Sequence, residues 1–190
     1  MSLTRPQIQS AFKSAGTDKS NLHGYDLMYS RVFEQYPNIT KLLEIGIFKG
    51  QSLVAWRELF PEAEIVGVDR KIRTDIVEAA MSIKMIEADS ARTSIREKVG
   101  EGYNIIIDDG DHRPDWQWQT FLNLKDCWTD CYVIEDVIGL ENEQLLRRRL
   151  DSQGYFKVDT FASKKSNALM RIKGEDVRVP FYSMVIHANK

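Results

Sequence analysis

The chain has 190 residues, of which 43% are hydrophobic and 28% charged, with a formal net charge of −2. That length supports one domain burying about two-thirds of its extended surface, and the composition is that of a globular protein, not a disordered one. The near-neutral balance argues against an electrostatic grip on nucleic acid; with no apolar run of about 18 residues and a polar N-terminus, membrane insertion and secretion are not expected and the cytoplasm is.

Two amphipathic helices, over residues 4–14 and 24–36, open the chain. Between them Gly16-Thr17-Asp18-Lys19-Ser20-Asn21-Leu22-His23 is polar and turn-forming, which suits a loop lying over a sheet edge. From residue 41 strand candidates (41–45, 64–68, 84–87, 103–107 and 130–134) alternate with helix-compatible segments (50–60, 75–81, 90–99 and 114–127). That alternation predicts βαβ crossovers and a parallel sheet. A helix over 141–153 ends at Gly154, a plausible C-cap. Strand-like pieces at 155–161, 168–172 and 182–188 follow, joined by the turn-rich stretches 163–167 and 173–176. Their short spacing predicts hairpins, so the sheet closes with antiparallel strands. Cys127 and Cys131 give neither a CxxC redox motif nor, with three scattered histidines, a zinc site; buried thiols are expected.

Four of the strand candidates share one property: each ends in acid. Ile105-Ile106-Ile107 runs into Asp108-Asp109-Gly110-Asp111-His112, Tyr132-Val133-Ile134 into Glu135-Asp136, 64–68 into Asp69, and Lys41-Leu42-Leu43 into Glu44-Ile45-Gly46. β-branched runs that deliver carboxylates mark the carboxyl edge of a parallel sheet, where ligands sit. The pattern suggests a nucleotide-type cofactor site with a divalent metal beside it.

On the cofactor side, a strand breaks at Gly46 and a helix starts near Gly50. Glycine lets a backbone approach a ligand, and a helix N-terminus offers free N–H groups. Three residues separate the two glycines, so the loop is poorly suited to a pyrophosphate but adequate for a smaller, phosphate-free ligand. Glu44 is placed to hold a cationic group. Asp69, 19 residues beyond Gly50 by sequence number, is near the spacing at which an acid binds ribose hydroxyls. Asp89, after the third strand, is placed to meet an adenine amino group or to cap a helix over 90–99. ExGxxxG followed by these two acids resembles the S-adenosylmethionine-dependent methyltransferases of the Rossmann-like class over roughly residues 41–190.

On the metal side, Asp109, Glu135 and Asp136 end neighbouring strands if the strand order is the usual one. Three converging carboxylates repel unless a cation lies between them, and all-oxygen ligation suits Mg²⁺. His112, three residues on, is placed to take a proton from a hydroxyl, unless it only hydrogen-bonds the turn backbone. Asp108 and Asp111 have the alternative of capping a helix that begins near Pro114.

Four blocks in order, Gly16-Thr17-Asp18-Lys19 with His23 and Tyr25, Glu44 to Ser52, Asp108 to His112, and Val133 to Val137, resemble the Mg²⁺-dependent sugar O-methyltransferases of the macrolide-tailoring type. That group includes proteins labelled cephalosporin hydroxylase. The resemblance implies a three-layer α/β sandwich on a mostly parallel seven-stranded sheet with antiparallel C-terminal strands and N-terminal helices. It divides residues 1–190 into a helical cap with cofactor loop (1–40) and a catalytic core (41–190). It implies Asp109, Glu135 and Asp136 as Mg²⁺ ligands and His112 as general base. It implies S-adenosylmethionine contacts at Thr17, Lys19, Tyr25, Glu44, Gly46, Gly50, Ser52, Asp69, Asp89 and Asp108. The expected acceptor is a hydroxyl on a sugar or related small molecule, and a homo-oligomer fits the family. A catechol-type O-methyltransferase and a non-catalytic S-adenosylmethionine-binding protein stay open as alternatives. Asp111 departs from the family pattern, replacing its serine and adding a charge beside His112. The sequence also shows no counterpart of the large N-terminal domain of some macrolide enzymes.

Outside these blocks, Trp116 and Trp118 are two apart, so a helix sends them to different faces, one to the core and one to a substrate mouth or subunit contact. Tyr25 and Tyr29, a helical turn apart, suit either core or cofactor lid. Arg147-Arg148-Arg149 beside Glu141, Glu143 and Asp151 reads as a solvated, ion-paired face.

Overall fold

The computed structural model describes residues 3–172 and 175–188. Five parallel strands, β1 (Lys41–Ile45), β2 (Glu64–Asp69), β3 (Lys84–Glu87), β4 (Tyr103–Asp108) and β5 (Trp128–Ile138), are followed by an antiparallel pair, β6 (Val158–Ile172) and β7 (Glu175–His187). They form one seven-stranded sheet in the order β3-β2-β1-β4-β5-β7-β6. The order reverses between β1 and β4, so the loops after these two strands diverge and open a crevice at the carboxyl edge.

The helices α1 (Arg5–Ala15), α2 (Asp18–Asn21), α3 (Asp26–Gln35), α4 (Gln51–Leu59), α5 (Ile95–Val99), α6 (Pro114–Leu124) and α7 (Leu140–Ser152) complete the fold. Strand residues alternate between faces, and β1 shows the result. Leu42 joins the cluster covered by α1, α3 and α4, whereas Leu43 joins the one covered by α5, α6 and α7. On the first face Trp56 meets Phe12, Tyr29 and Phe33 edge-on, with ring centroids 5.3, 4.9 and 6.2 Å apart. Such pairs contribute about 0.5–1.5 kcal/mol each beyond their buried area. They lock α1 and α3 against α4 and so fix where Tyr29 points its hydroxyl.

Three expected elements come out differently. The helix expected over 75–81 is one turn of 3₁₀ helix, Glu78–Ala80, because Val77 gives its N–H to the carbonyl of Lys49 (2.9 Å) and holds the preceding residues open. The helix expected over 90–99 starts only at Ile95, because Asp89 accepts the backbone N–H groups of Ala91 and Arg92 in a tight turn. The turn expected at 163–167 does not separate two strands. β6 runs through it, and the turn-forming residues appear as a register shift between Ala162 and Asn167. Of the turn expected at 173–176, residues 173 and 174 lie outside the described residues. Cys127 and Cys131 are buried free thiols. Among the described residues no helix is long and apolar enough to cross a membrane.

Candidate active site

The crevice at the switch point is a cleft of about 590 Å³, within the range of roughly 300–1,000 Å³ usual for small-molecule sites. Of the residues expected to touch a cofactor, Thr17, Lys19, Tyr25, Gly46, Ser52, Asp69 and Asp89 line it. Glu44, Gly50 and Asp108 do not. Glu44 is fully buried beneath the floor, accepting from Ser52 Oγ at 2.7 Å. Gly50 adopts φ +81° at the N-terminus of α4, where an added Cβ would stand 2.8 Å from Ala80 Cβ. Its glycine therefore serves packing between α4 and the 3₁₀ turn, not ligand approach. Asp108 points back into the sheet and accepts from Tyr132 Oη (3.2 Å) and Gly110 N (3.3 Å). Burial raises its carboxyl to about 7 despite those two donors.

Asp69 ends β2 and faces the cleft, but its carboxylate also organises the glycine loop. Oδ2 accepts from the backbone N of Ile47 (3.1 Å) and Phe48 (3.3 Å), and Oδ1 from Lys71 N (3.2 Å). Two strands are thus coupled before any ligand enters. Phe48 is held there at φ 46°, with its ring 60% exposed.

The acidic half depends on an irregularity that periodicity does not reveal. Glu135 and Asp136 are consecutive, so regular pleating would send them to opposite faces. The register between β5 and β7 shifts between Ile134 and Val137, and Asp136 takes φ 51°. A bulge of this kind re-aims side chains, and both carboxylates line the cleft. Each is held by a tyrosine of the N-terminal region: Tyr29 Oη donates to Glu135, and Tyr25 Oη donates to Asp136. Both rings are buried, so these tyrosines are core and site support at once. Gln117, also buried, donates from Nε2 to the Glu135 carbonyl at 2.9 Å and fixes the bulge from α6. Nothing in the sequence pattern singled out this glutamine.

Lys19 enters the same place from α2. Its side chain is 2% exposed, and Nζ reaches Glu135 Oε2 (2.5 Å), Asp109 Oδ2 (2.7 Å) and Glu44 Oε1 (3.4 Å). Burial opposes its charge, but these three carboxylates hold the ammonium well above its ordinary range. Burial also raises the carboxyls of Glu44 and Glu135 against the pull of that one cation. His23 Nδ1 lies 3.2 Å from Asp136 Oδ1 and Nε2 lies 3.6 Å from Asp18 Oδ2. Burial opposes protonation here too, yet these two aspartates push the imidazole up to about 10.

His112 follows in the turn after β4, with Nε2 3.9 Å from Asp136 Oδ2 and Nδ1 buried without a hydrogen-bond partner. The extra charge expected from Asp111 is neutralised locally, because Arg113 Nε and Nη2 bind its two oxygens at 2.8 and 2.5 Å. The Arg113 guanidinium lies over the Trp116 ring at 4.9 Å, and Trp116, 39% exposed, stands at the cleft. Trp118 turns the other way and stacks on Phe121. Arg149 pairs with exposed Asp115, as a solvated face would. Arg147, however, pairs with buried Glu143 and also bonds the Val158 carbonyl and Thr160 on β6, so this part of the arginine run packs α7 on the sheet.

These residues fit a divalent cation. Asp109, His112 and Asp136 each offer one ligand atom, all within 4.8 Å of one another. The expected third carboxylate, Glu135, is not in this group: its oxygens are taken by Lys19 and Tyr29. In formal charge, five carboxylates (Asp18, Glu44, Asp109, Glu135, Asp136) face two cations (Lys19, His23), an excess of negative charge that favours a divalent ion.

No family model matches the chain. Mycinamicin VI 2''-O-methyltransferase from Micromonospora griseorubida is 30% identical over 102 residues, a match covering 48% of this chain and 25% of that protein. The chain therefore spans about a quarter of the length of this curated relative. The solved MycE methyltransferase of the mycinamycin biosynthetic pathway, in complex with Mg, SAH and mycinamycin VI, is 28% identical with a TM-score of 0.61, over 71% of this chain and 40% of that one. Precorrin-6y C5,15-methyltransferase from Geobacter metallireducens is 14% identical with a TM-score of 0.59, over 86% and 89% of the two chains, a likeness of fold alone. The architecture is that of the Rossmann-like methyltransferases, and the chain resembles the macrolide-sugar O-methyltransferases within them.

Proposed function

We propose that the chain transfers the methyl group of S-adenosylmethionine to a hydroxyl of a sugar or related small molecule, with Mg²⁺ held at the acidic half of the cleft. The observation that carries this reading is the meeting, at one switch point, of the cleft walled by the glycine loop, Asp69 and Asp89 with the group Asp109, His112 and Asp136. The likeness to a 2''-O-methyltransferase and to a structure holding Mg and SAH supports it.

In this reading Asp69 and Asp89 present acceptors to ribose hydroxyls and a base amino group, and the loop from Gly16 to Tyr25 closes the wall over them. Asp109 and Asp136 hold the Mg²⁺, whose preference for oxygen ligands leaves the imidazole of His112 free for proton work. When bound, the cofactor supplies an electrophilic methyl group, and the metal lowers the pKa of an acceptor hydroxyl and sets its direction. His112, at the open end of the cleft, accepts the hydroxyl proton. Arg113 and Trp116 flank the entrance where an acceptor ring arrives. Most of the rate comes from positioning two substrates in line.

Calorimetric titration with S-adenosylmethionine and S-adenosylhomocysteine, with and without Mg²⁺, tests both halves. Micromolar cofactor binding with a metal signal lost in Asp109→Ala supports the reading, and the absence of cofactor binding overturns it. An acceptor screen of glycosides against catechols then separates a sugar enzyme from a catechol-type one; turnover of neither would leave a cofactor-binding protein.

A further inference from the structure

Lys19 brings a positive charge to the inner side of the acidic cluster, next to the proposed ion. The three carboxylates around Nζ come from three different strand ends: Glu44 on β1, Asp109 after β4, and Glu135 on β5. An ammonium has three donors, and three carboxylates meet it. Nζ donates to Glu135 Oε2 (2.5 Å) and Asp109 Oδ2 (2.7 Å), spacings that suit an ammonium, and Glu44 Oε1 stands at 3.4 Å as an ion-pair contact without a hydrogen bond. The inner side is therefore shaped for an organic cation and the outer side for a metal. Asp109 belongs to both, pairing with Lys19 and joining His112 and Asp136.

We infer that Lys19 is the resident cation of the inner, buried part of the acidic cluster, and that it shares Asp109 with a single divalent ion outside it. The cluster holds enough carboxylate for two metals, and the lysine restricts it to one. Buried carboxylates that lose their only counter-charge must take up another cation, become protonated, or unfold the site. The same ammonium pins the Gly16–Tyr25 loop to three strand ends, so the wall of the cofactor cleft and the charge of the metal half are fixed by one side chain. Lys19 acts through the carboxylates and is a positioning residue, not a catalytic one. The inference rests on the proposed function only for the outer ion.

Mn²⁺ binding, followed by calorimetry and by the electron paramagnetic resonance of free Mn²⁺, counts the sites directly. The expected result is one ion per chain in the parent, two in Lys19→Met, and one again in Lys19→Met/Glu44→Gln. A folded Lys19→Met protein with the same stoichiometry as the parent overturns the inference. So does a parent that binds two, or a second ion that survives Glu44→Gln. If the parent binds none and Lys19→Met binds one that requires Glu44, the inference about Lys19 stands and the metal part of the proposed function falls. Should Lys19→Met stay unfolded at every Mn²⁺ concentration, Lys19→Met/Glu135→Gln decides. Recovery of the far-ultraviolet circular dichroism supports the ammonium as counter-charge, and persistent unfolding overturns it.

Discussion

A Cβ placed on Gly46 would stand 2.1 Å from the carbonyl oxygen of Asp109. The two loops cross this closely because β1 and β4 are hydrogen-bonded neighbours that both turn at the same level: Gly46 N donates to the Val68 carbonyl and Asp109 N to the Ile45 carbonyl, each at 2.8 Å. Gly46 also sits at φ +84°. Its glycine is thus required by the proposed metal-bearing loop itself. Gly46→Ala is expected to cost about 3 kcal/mol in urea unfolding, about 1–2 from the left-handed backbone and about 1–3 from the forced contact. The displaced Asp109 should weaken Mn²⁺ binding at the same time. A loss below about 1 kcal/mol with unchanged metal affinity would show that the crossing relaxes freely.

Much of this arrangement was legible in the residues. β-branched runs ending in Asp69, Asp109 and Glu135-Asp136 place acids on one sheet edge whatever the details of packing, and the edge is where the cleft lies. What stayed hidden depends on contacts far apart in sequence. Lys19 and Glu135 are 116 residues apart, and no periodicity relates them. The bulge that turns Glu135 and Asp136 to the same side is a property of the β5–β7 register, set by the hairpin strand β7 arriving from the other end of the chain. The reading of Gly50 as a ligand-facing glycine failed for a similar reason: its neighbour is Ala80, brought there by a segment that looked helical and forms only a single 3₁₀ turn.

Asp69 carries two loads that substitution can separate. It bonds the N–H groups of Ile47 and Phe48, and it faces the cleft where ribose hydroxyls are expected. Asp69→Asn keeps an acceptor oxygen for the loop, whereas Asp69→Ala leaves three backbone donors, of Ile47, Phe48 and Lys71, without their partner, at about 1–3 kcal/mol each where buried. Asn should therefore melt near the parent and still bind S-adenosylhomocysteine at least about tenfold more weakly, roughly 1.4 kcal/mol. Ala should show both losses. Parental cofactor affinity in the Asn variant would assign Asp69 to the loop alone.

One contribution to acid sensitivity should arise away from the cleft, at His187. Its side chain is 3% exposed on β7, with Nδ1 2.7 Å from Tyr36 Oη and Nε2 3.2 Å from Asp159 Oδ2. Burial lowers its pKa below the ordinary histidine value, outweighing Asp159, and Lys157 adds to the lowering. With the folded value depressed, the unfolded chain binds the extra proton first as pH falls through about 6.5. The His187 contribution to native stability should therefore decline on acidification below that point, while Asp108, with its carboxyl raised to about 7, contributes in the opposite direction. His187→Gln, which keeps a polar partner for Tyr36 without the titration, should raise the urea midpoint at pH 5.5 relative to that at pH 7.5, compared with the same ratio in the parent. An unchanged ratio would move the acid sensitivity to another group.

The proton acceptor is the sharpest mechanistic claim, and His112 separates it from binding. Its Nε2 stands 3.9 Å from Asp136 Oδ2, too far for a hydrogen bond, so the ring does not support the carboxylate that Tyr25 already holds. Removing it should leave the cofactor walls and the tyrosine-held acids in place. His112→Ala is accordingly expected to bind S-adenosylhomocysteine within about twofold of the parent, about 0.4 kcal/mol. It should also keep the fold and lose roughly 10²–10⁴ in turnover on whatever hydroxyl acceptor the screen identifies. The loss should shrink as pH rises, because a partly ionised acceptor needs its base less. A variant that turns over like the parent at neutral pH would remove His112 from the base role. A variant whose turnover and metal affinity fall together would instead make the imidazole a ligand beside Asp109 and Asp136.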